Sequence, residues 1–369
     1  MATILQVLPK FDTGGTEYET LDTVNFLIKS GHKCIVLSSG GALIEKLDPA
    51  VINIADKYIK SKNPFFLFRN VSLIRNIIKK YNVDLIHARS RAQAWCCFYA
   101  LKNFPKIKYI TSFHGLYGMQ NYFKKFYNSS MVRSNKIIAV SNFCKEYILQ
   151  YYPNVASKVI TVHSWVDDEK TNIDQHYIDH IKHELHIDKH TKIIFLPGRL
   201  SPTKGHEFWI KAMAKVHEYD VICLSMAGTE PLRDYLAKIT EKLNFRHRLE
   251  FIQYTDKISS LYHMADIVVC PSTKSESFGK TAVEACLMEK PVIANDLGAF
   301  KETIIDGKTG WLVKNGDIDG FAKKIEEVLL MDNTEKSKIT AAARKYVLDN
   351  FSAKEMLPKL VKIYEDLLK

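Results

Sequence analysis

The sequence predicts an α/β protein built from two doubly wound parallel-sheet domains. Its 369 residues exceed what one hydrophobic core usually serves. Short apolar runs alternate with helical patterns along the chain, which is typical of parallel sheets crossed by helices. The alternation stops after Asp167 and restarts at Ile193, so we expect two domains of similar design.

The first half has the strand and helix rhythm of a Rossmann-like domain. Gly31 ends the first predicted helix. The predicted strands are residues 4–8, 34–38, 85–88, 109–113, 136–140 and 159–162, and the helices between them are 16–30, 65–81, 92–102 and 142–151. This domain is expected to span residues 1–166, with the interdomain linker near 164–170.

The second half repeats the rhythm, with a domain expected over residues 167–351. Its predicted strands are 193–196, 221–226, 249–252, 267–270, 292–294 and 311–313. A last helix, about 352–369, is expected to cross back onto the first domain. Because open α/β sheets bind ligands at the carboxyl ends of their strands, two such domains should face a central cleft that holds the site.

Charge is distributed unevenly along the chain. Residues 1–165 hold 22 lysines and arginines against 9 aspartates and glutamates, a balance of +13, and the remainder carries −2. This asymmetry points to an anionic partner for the first half, namely a membrane surface, a nucleic acid or an acidic substrate. The N-terminus lacks a leader pattern, and no apolar run approaches the roughly 20 residues that span a bilayer, so a cytoplasmic location is expected.

The stretch PSTKSESFGKTAVEACLMEKPVIAND, residues 271–296, follows a buried strand and predicts an anion site. A helix over residues 277–289 would place Ser277, Phe278 and Gly279 in its first turn, where unpaired amides and the helix dipole favour negative charge. Gly279 would let a ligand approach closely. Glu276 and Glu284 could be a chance pair, but the apolar neighbours of Glu284 make an unpaired carboxylate there costly and favour a functional one.

Two further segments place polar groups at strand ends. Gly198, Arg199 and Lys204 follow the first strand of the second half, and their cations suit phosphate oxygens. The alternative is a pair of solvated surface cations.

In the first half, Gly14 and Gly15 follow the first strand. They form either an ordinary turn or a loop whose backbone N–H groups, unshielded by side chains, can approach a diphosphate. His114 ends another strand and should face the same cleft, although a lone histidine is more often structural.

Together these motifs resemble the retaining, nucleotide-sugar-dependent glycosyltransferases of family 4, which have the GT-B fold. The resemblance rests on the glycine pair, the Gly198-Arg199 and Lys204-Gly205 pairs, the Glu276–Glu284 block, PVIAND, Gly298, Glu302 and GKTGWLV. It covers nearly the whole chain and is loose between residues 44 and 80. One departure is HSWVD at residues 163–167, where the family usually has Asn-Gly before Val-Asp.

The resemblance implies roles for individual residues. Arg199 and Lys204 would hold the donor diphosphate, and Gly14, Gly15, Gly198, Ser277, Phe278 and Gly279 would complete the donor site. Glu284 would bind the ribose hydroxyls, Glu276 the transferred sugar near its 3-position, and His114 the 6-hydroxyl.

The resemblance also implies the reaction. Fixed cations at the leaving diphosphate would replace a metal, so neither metal nor cofactor is expected. A UDP-sugar is the favoured donor and a GDP-sugar the second choice.

Two alternative functions stay open on the sequence. A nucleotide-sugar 2-epimerase uses a similar two-domain cleft but fits the Glu276–Glu284 block and the two cations less well. A nucleic-acid-binding protein would explain the basic first half. The sequence lacks a recognisable nucleic-acid-binding motif, so no nucleic acid is expected as partner.

Aromatic residues alternate with cations in residues 64–81 and 116–136 of the basic half. Such faces can lie among lipid headgroups; otherwise the aromatics are core residues and the cations a solvated face. We therefore predict peripheral binding to the inner face of the cytoplasmic membrane. The acceptor would be a cell-surface glycan or a lipid-linked, lipopolysaccharide-type molecule.

Overall fold

The chain folds into two compact units. The computed structural model describes residues 1–217 and 219–369. The first unit contains Met1–Trp165 and Ala353–Lys369, and the second is Val166–Ser352. The boundaries predicted from the sequence are 1–166, 167–351 and 352–369. The acceptor-binding and donor-binding roles of the two units stay predictions.

Each unit is built on one parallel sheet. The seven strands of the first sheet lie in the order β3-β2-β1-β4-β5-β6-β7, and the six of the second in the order β10-β9-β8-β11-β12-β13. The strands are β1 Thr3–Val7, β2 Lys33–Ser38, β3 Ile52–Ala55, β4 Leu85–Ala88, β5 Lys108–Phe113, β6 Lys136–Ala139, β7 Val159–Thr161, β8 Lys192–Leu196, β9 Val221–Met226, β10 Arg248–Ile252, β11 Ile267–Cys270, β12 Val292–Asn295 and β13 Trp311–Val313. Both orders are those of a doubly wound sheet, so the predicted fold class is confirmed.

Helices connect the strands on both faces of each sheet. They are α1 Gly15–Lys29, α2 Pro64–Tyr81, α3 Arg91–Leu101, α4 Tyr122–Asn128, α5 Asn142–Tyr151, α6 Gln175–Glu184, α7 His206–Met213, α8 Glu230–Lys242, α9 Ile258–Met264, α10 Lys280–Leu287, α11 Phe300–Thr303, α12 Ile318–Leu330, α13 Asn333–Phe351 and α14 Ala353–Leu368. Helix α6 lies in the stretch after Asp167 where the predicted rhythm stops.

The edge strand β3 was absent from the sequence prediction. It has only four residues, INIA, whose side chains alternate between half-buried and exposed, and it pairs with β2 alone. A strand so short and so weakly apolar gives almost no periodic signal. It lies in the segment where the family resemblance is loose.

The C-terminal helix α14 belongs to the core of the first unit. Met356, Leu360, Val361 and Tyr364 are buried there together with residues of β1, β2 and α1. Burial of this apolar stripe explains why the chain returns to the first sheet after completing the second.

The aromatic residues of the basic half divide into a buried and an exposed set. In α2, Ile74 and Ile78 are buried, whereas Phe65 and Phe68 near its N-terminus are exposed. In α4, Tyr122, Phe123 and Phe126 are all exposed. For these five rings the alternative that they are core residues is wrong. No helix within residues 1–217 and 219–369 is long and apolar enough to cross a bilayer.

Candidate active site

The second sheet has its switch point between β8 and β11, which are neighbours whose connections leave in opposite directions. Ligands of doubly wound sheets bind outside the strand ends at such a point. The loop after β8 carries Arg199 and Lys204, and the loop after β11 carries Glu276. The order of the strands therefore brings together segments that are some seventy residues apart in the sequence.

The two loops are held against each other by backbone contacts. Gly205 has a positive φ of 79°, and a Cβ atom built on it would lie 1.8 Å from the carbonyl oxygen of Pro271. The amide of Thr273 donates to the carbonyl of Thr203 over 3.0 Å. Only glycine fits at position 205 without moving the second loop, so this residue fixes the spacing between them.

Lys204 and Glu276 form an ion pair at the switch point. Nζ of Lys204 lies 2.9 Å from Oε1 of Glu276, and the hydroxyl of Ser272 donates to the same oxygen over 2.8 Å. The two side chains are 22% and 24% exposed. Oε2 of Glu276 receives no hydrogen bond from the residues that the structure describes. One carboxylate oxygen is anchored by the protein, and the other can accept from a hydroxyl.

The backbone of Glu276 is also held in place. It forms a parallel bridge with Gly298, and its carbonyl accepts from the amide of Ala299 over 3.1 Å. A Cβ atom on Gly298 would lie 2.8 Å from the backbone nitrogen and oxygen of Glu276. The glycine of the family pattern is thus explained by close approach of two backbones.

Glu284 lies in α10 and is hydrogen-bonded to a buried tyrosine. The hydroxyl of Tyr262 donates to its Oε2 over 2.8 Å. Burial, followed by the charge of Glu284, raises the pKa of Tyr262 well above its usual value, so this hydroxyl keeps its proton. The carboxylate among apolar neighbours therefore has a hydrogen-bond partner within the protein. Its contact with a ribose stays a prediction.

The thiol of Cys270, at the end of β11, is influenced by the charges of three of the predicted site residues. Burial raises its pKa to about 11, Lys204 opposes this shift, and both Glu276 and Glu284 add to it. Its Sγ lies 3.5 Å from the hydroxyl of Thr281. One strand end therefore lies within the electrostatic reach of all three charges.

Gly198 and Arg199 lie beside this cluster. Gly198 has a φ of 96°, and its Cβ position would be 3.5 Å from Cε of Lys204 and 3.6 Å from Cγ2 of Thr281. Arg199 is exposed, and none of the described side chains pairs with its guanidinium group. It is a cation that a ligand can reach without first breaking an ion pair.

The predicted start of the helix after Glu276 is wrong. Helix α10 begins at Lys280, and Gly279 is its N-cap with φ 84°, so Ser277, Phe278 and Gly279 precede the first turn. Phe278 is buried and its ring packs 5.4 Å from that of Phe351. The amides of the first turn are those of Lys280 and the residues after it.

Glycine at position 279 also has a structural reason, and the predicted close approach of a ligand there stays a prediction. A Cβ atom there would lie 2.7 Å from the ring of Phe300, so glycine is needed for packing and for its positive φ.

In the first unit, Gly14 and Gly15 are the N-cap and first residue of α1. A Cβ atom on Gly14 would lie 2.5 Å from Oε2 of Glu17, so a carboxylate already faces this helix end. A phosphate role for this pair stays a prediction.

His114 follows β5, as expected. Its Nε2 lies 2.7 Å from the hydroxyl of Ser112, and its Nδ1 lies 3.4 Å from Oε2 of Glu19. The ring is thus held by two side chains of its own unit.

Comparisons with known proteins agree with this architecture. The family model described as Glycosyltransferase Family 4 matches residues 13–170, and that described as Glycosyl transferases group 1 matches residues 178–346. The solved structure of a glycosyltransferase from Rickettsia africae is 33% identical, with a TM-score of 0.87, and the alignment covers 100% of this chain and 99% of that one. This chain belongs to the family 4 glycosyltransferases.

Two further proteins resemble this glycosyltransferase over nearly its whole length. An N-acetyl-alpha-D-glucosaminyl L-malate synthase of Bacillus anthracis is 24% identical over 93% of this chain and 91% of its own. An Anabaena protein solved in complex with UDP-glucose has the same fold, with a TM-score of 0.84 and 18% identity over 99% and 100% of the two chains. The likeness to the Anabaena protein shows the fold alone.

Several residues of the site were missed by sequence reasoning. Ser272 holds Glu276, Tyr262 holds Glu284, and the amide of Asn295 donates to the carbonyl of Ser272 over 3.2 Å. Ser272 and Asn295 lie in the stretch 271–296 but were not singled out there, and Tyr262 is an ordinary core position in the sequence. In the part of the chain that the structure describes, no group of three or more acidic, histidine or cysteine side chains is arranged to hold a metal ion.

Proposed function

We propose that this glycosyltransferase is a retaining, metal-independent enzyme that transfers a hexose from a nucleotide diphosphate donor. UDP is the favoured nucleotide and GDP the second. The observation that carries the proposal is the Lys204–Glu276 pair at the switch point, with the exposed Arg199 on the same loop as the lysine. A cation anchored by a carboxylate and a second, unpaired cation suit a diphosphate next to a sugar.

The charge of the leaving diphosphate explains why the site needs the two cations, Lys204 and Arg199. As the bond between sugar and phosphate breaks, negative charge grows on the diphosphate and positive charge on the anomeric carbon. Fixed donors at the diphosphate stabilise that transition state. The ammonium group of Lys204 has three N–H donors and uses one on Glu276, so two remain for phosphate oxygens.

The carboxylate of Glu276, held in place by its neighbours, explains how the transferred sugar would be bound. With Oε1 of Glu276 held by Lys204 and Ser272, Oε2 is the oxygen that a sugar hydroxyl would reach. We assign Glu276 to the transferred sugar and Glu284 to the ribose, as the family resemblance implies. The Anabaena neighbour that holds UDP-glucose supports UDP as the first nucleotide to test.

A thermal-shift screen tests the donor. UDP, GDP and ADP, each alone and with a sugar attached, are added to the protein in the presence of EDTA. A bound nucleotide stabilises the fold by RT ln(1 + [L]/Kd), so at 100 times Kd the gain is about 2.7 kcal/mol. We expect the largest shift with UDP or UDP-sugar. A shift with GDP but not with UDP would make GDP the donor nucleotide. No shift with any of the nucleotides would contradict the donor assignment.

We also propose that the acceptor is lipid-linked and that the first unit binds anionic membranes from the cytoplasmic side. The five exposed rings Phe65, Phe68, Tyr122, Phe123 and Phe126 support this proposal. Lys124 and Lys125 lie between the three rings of α4. Rings at headgroup depth next to cations match a peripheral membrane surface, where each cation adds about 1 kcal/mol near anionic lipid.

Co-sedimentation with liposomes of graded anionic content tests the membrane proposal. Replacing Lys124, Lys125 and Arg133 together by glutamine should abolish binding, and high salt should do the same for the wild type. The matched control replaces Lys238, Lys242 and Lys338, three exposed lysines of the second unit. If the control triple lost binding equally, or if binding ignored lipid charge, a small soluble acceptor would be the better proposal, as the name of the Bacillus relative suggests.

A further inference from the structure

A continuous row of polar side chains crosses the buried interior of the first unit. It runs from β1 and the C-terminal helix, through the middle of the sheet, to His114 and α1. Its members, in order of contact, are Arg89, Gln6, Tyr364, His87, Ser112, His114 and Glu19. We call this row the histidine relay.

The first half of the relay joins the C-terminal helix to the sheet. Nε of Arg89 donates to Oε1 of Gln6 over 3.2 Å, and Nε2 of Gln6 donates to the hydroxyl of Tyr364 over 3.2 Å. That hydroxyl lies 2.5 Å from Nδ1 of His87. Gln6, Tyr364 and His87 are fully buried, so water does not substitute for these contacts.

The second half continues to the expected sugar site. Nε2 of His87 lies 3.0 Å from the hydroxyl of Ser112, which lies 2.7 Å from Nε2 of His114. Nδ1 of His114 then lies 3.4 Å from a carboxylate oxygen of Glu19. Most links join residues that are distant in sequence, up to the 358 positions between Gln6 and Tyr364, whereas Ser112 and His114 are two positions apart.

The arginine end fixes the direction of the first hydrogen bonds. Arginine has only donors, so the oxygen of the Gln6 amide must face Arg89 and its NH₂ group must face Tyr364. Burial raises the pKa of Tyr364 to about 12, so its hydroxyl keeps a proton. Gln6 and Arg89 offer that proton no acceptor, and among the described contacts of the hydroxyl it is Nδ1 of His87 that can accept it.

The remaining directions follow from the chemistry of imidazole. Burial lowers the pKa of His87 well below 6.5, so the ring is neutral and carries one proton. With Nδ1 accepting from Tyr364, that proton is on Nε2 and is donated to Ser112. The hydroxyl of Ser112 then donates to Nε2 of His114. The proton of a neutral His114 is therefore on Nδ1, which faces the acceptor oxygens of Glu19.

We propose that Tyr364 is a positioning residue that acts through His87 and Ser112 to hold His114 with its proton on Nδ1. The role of this proton in transfer rests on the proposed function, in which His114 contacts the donor sugar. The relay uses Nε2 of His114 as an acceptor and directs its Nδ1–H towards Glu19, so the ring has one tautomer and one orientation at the expected sugar site. The C-terminal helix thus supplies a polar group to the site as well as apolar packing.

Nitrogen NMR tests the tautomer directly. Two-bond correlation spectra of the ¹⁵N-labelled histidines, recorded at about pH 8 where imidazoles are neutral, distinguish the two tautomers. We expect the Nδ1–H form for His114 and the Nε2–H form for His87, with the signals assigned by His→Gln replacement of each. An Nε2–H form for His114 would overturn the proposal.

Removal of the tyrosine hydroxyl tests the coupling. Tyr364→Phe should give a mixture of His114 tautomers and lower kcat about tenfold, the equivalent of one hydrogen bond. The control is Tyr109→Phe, which removes another buried hydroxyl of the same unit, bonded to the carbonyl of Ala94 over 2.9 Å. Tyr109→Phe should lower the free energy of unfolding about as much as Tyr364→Phe does. It should leave both the His114 spectrum and kcat unchanged. Equal spectra and equal kcat for the two variants would contradict the coupling.

A double variant tests the route. If Tyr364 acts through Ser112, then Ser112→Ala should lower kcat by a similar factor, and the double variant should be no slower than the slower single variant. Additive losses would show two independent effects. The NMR result does not require turnover, so failure of the relay and failure of the proposed transferase activity are distinguishable.

Discussion

Replacing Lys204 by alanine should lower turnover about 10²-fold while leaving the fold intact. The lysine is 22% exposed, so an effective dielectric near 20 applies, and a unit charge about 4 Å away is then worth about 4 kcal/mol. The carboxylate of Glu276 offsets part of the charge of Lys204. We therefore expect roughly 2–3 kcal/mol of the ~4 kcal/mol to stabilise the charge that develops at the diphosphate. At about 1.4 kcal/mol per tenfold, the rate falls roughly 10²-fold.

The chain offers a matched control at the start of β8, the strand that precedes the loop carrying Lys204. Lys192 begins β8 and lies 3.3 Å from Asp266, with both side chains about one-third exposed. Both pairs are partly exposed, and such pairs contribute little to stability, so either lysine-to-alanine change should lower the free energy of unfolding by roughly 1 kcal/mol or less. Initial rates of UDP release from the donor, measured beside urea unfolding curves, separate the two effects.

The reasoning predicts a large rate loss in Lys204→Ala and none in Lys192→Ala. A Lys204→Ala enzyme within about threefold of the wild-type rate would show that the lysine is not at the leaving group. Equal rate losses in both variants would attribute the effect to the fold of the second unit.

Three further outcomes follow from the second unit. Glu284→Ala should weaken UDP binding in calorimetry, whereas Glu276→Ala should keep most of that affinity and lose sugar transfer; equal losses of affinity would refute this division. Gly205→Ala should lower the free energy of unfolding by about 2 kcal/mol or more, because its Cβ would collide with Pro271 and φ is positive; an unchanged denaturation midpoint would contradict this. Burial lowers the pKa of His206 to about 4, so its neutral form stabilises the fold above about pH 6.5. That stability, up to about 3 kcal/mol, should be lost as the pH falls from 6.5 to 4, and His206→Gln should flatten this part of a denaturation–pH profile; an unchanged slope would exclude His206 as its source.

Much of the fold could be predicted because its signals are local. The apolar runs of β8 and β11 are continuous, as expected for strands buried on both faces. Helix α1 ends just before Gly31, and α2 begins at Pro64. The doubly wound class followed from that rhythm once the chain was divided in two. The short strand β3 lacked such a run.

The parts that could not be predicted depend on tertiary contacts. The start of α10 is set by packing of Gly279 against Phe300 and of Phe278 against Phe351, and neither contact leaves a local pattern. The same holds for the partners of the predicted site residues. Ser272 and Tyr262 support the two glutamates, and Tyr364 reaches His114 only through two intermediate side chains.

Titration of UDP in the presence of EDTA tests the central claim most directly, because that claim is a nucleotide diphosphate bound by protein cations. The wild type should bind UDP without added metal. The double variant Arg199→Ala/Lys204→Ala should bind at least about tenfold more weakly, the loss expected for charge-assisted hydrogen bonds to phosphate, and Lys192→Ala should bind as the wild type does. Binding that required added manganese, or a double variant that bound UDP as tightly as the wild type, would contradict the account.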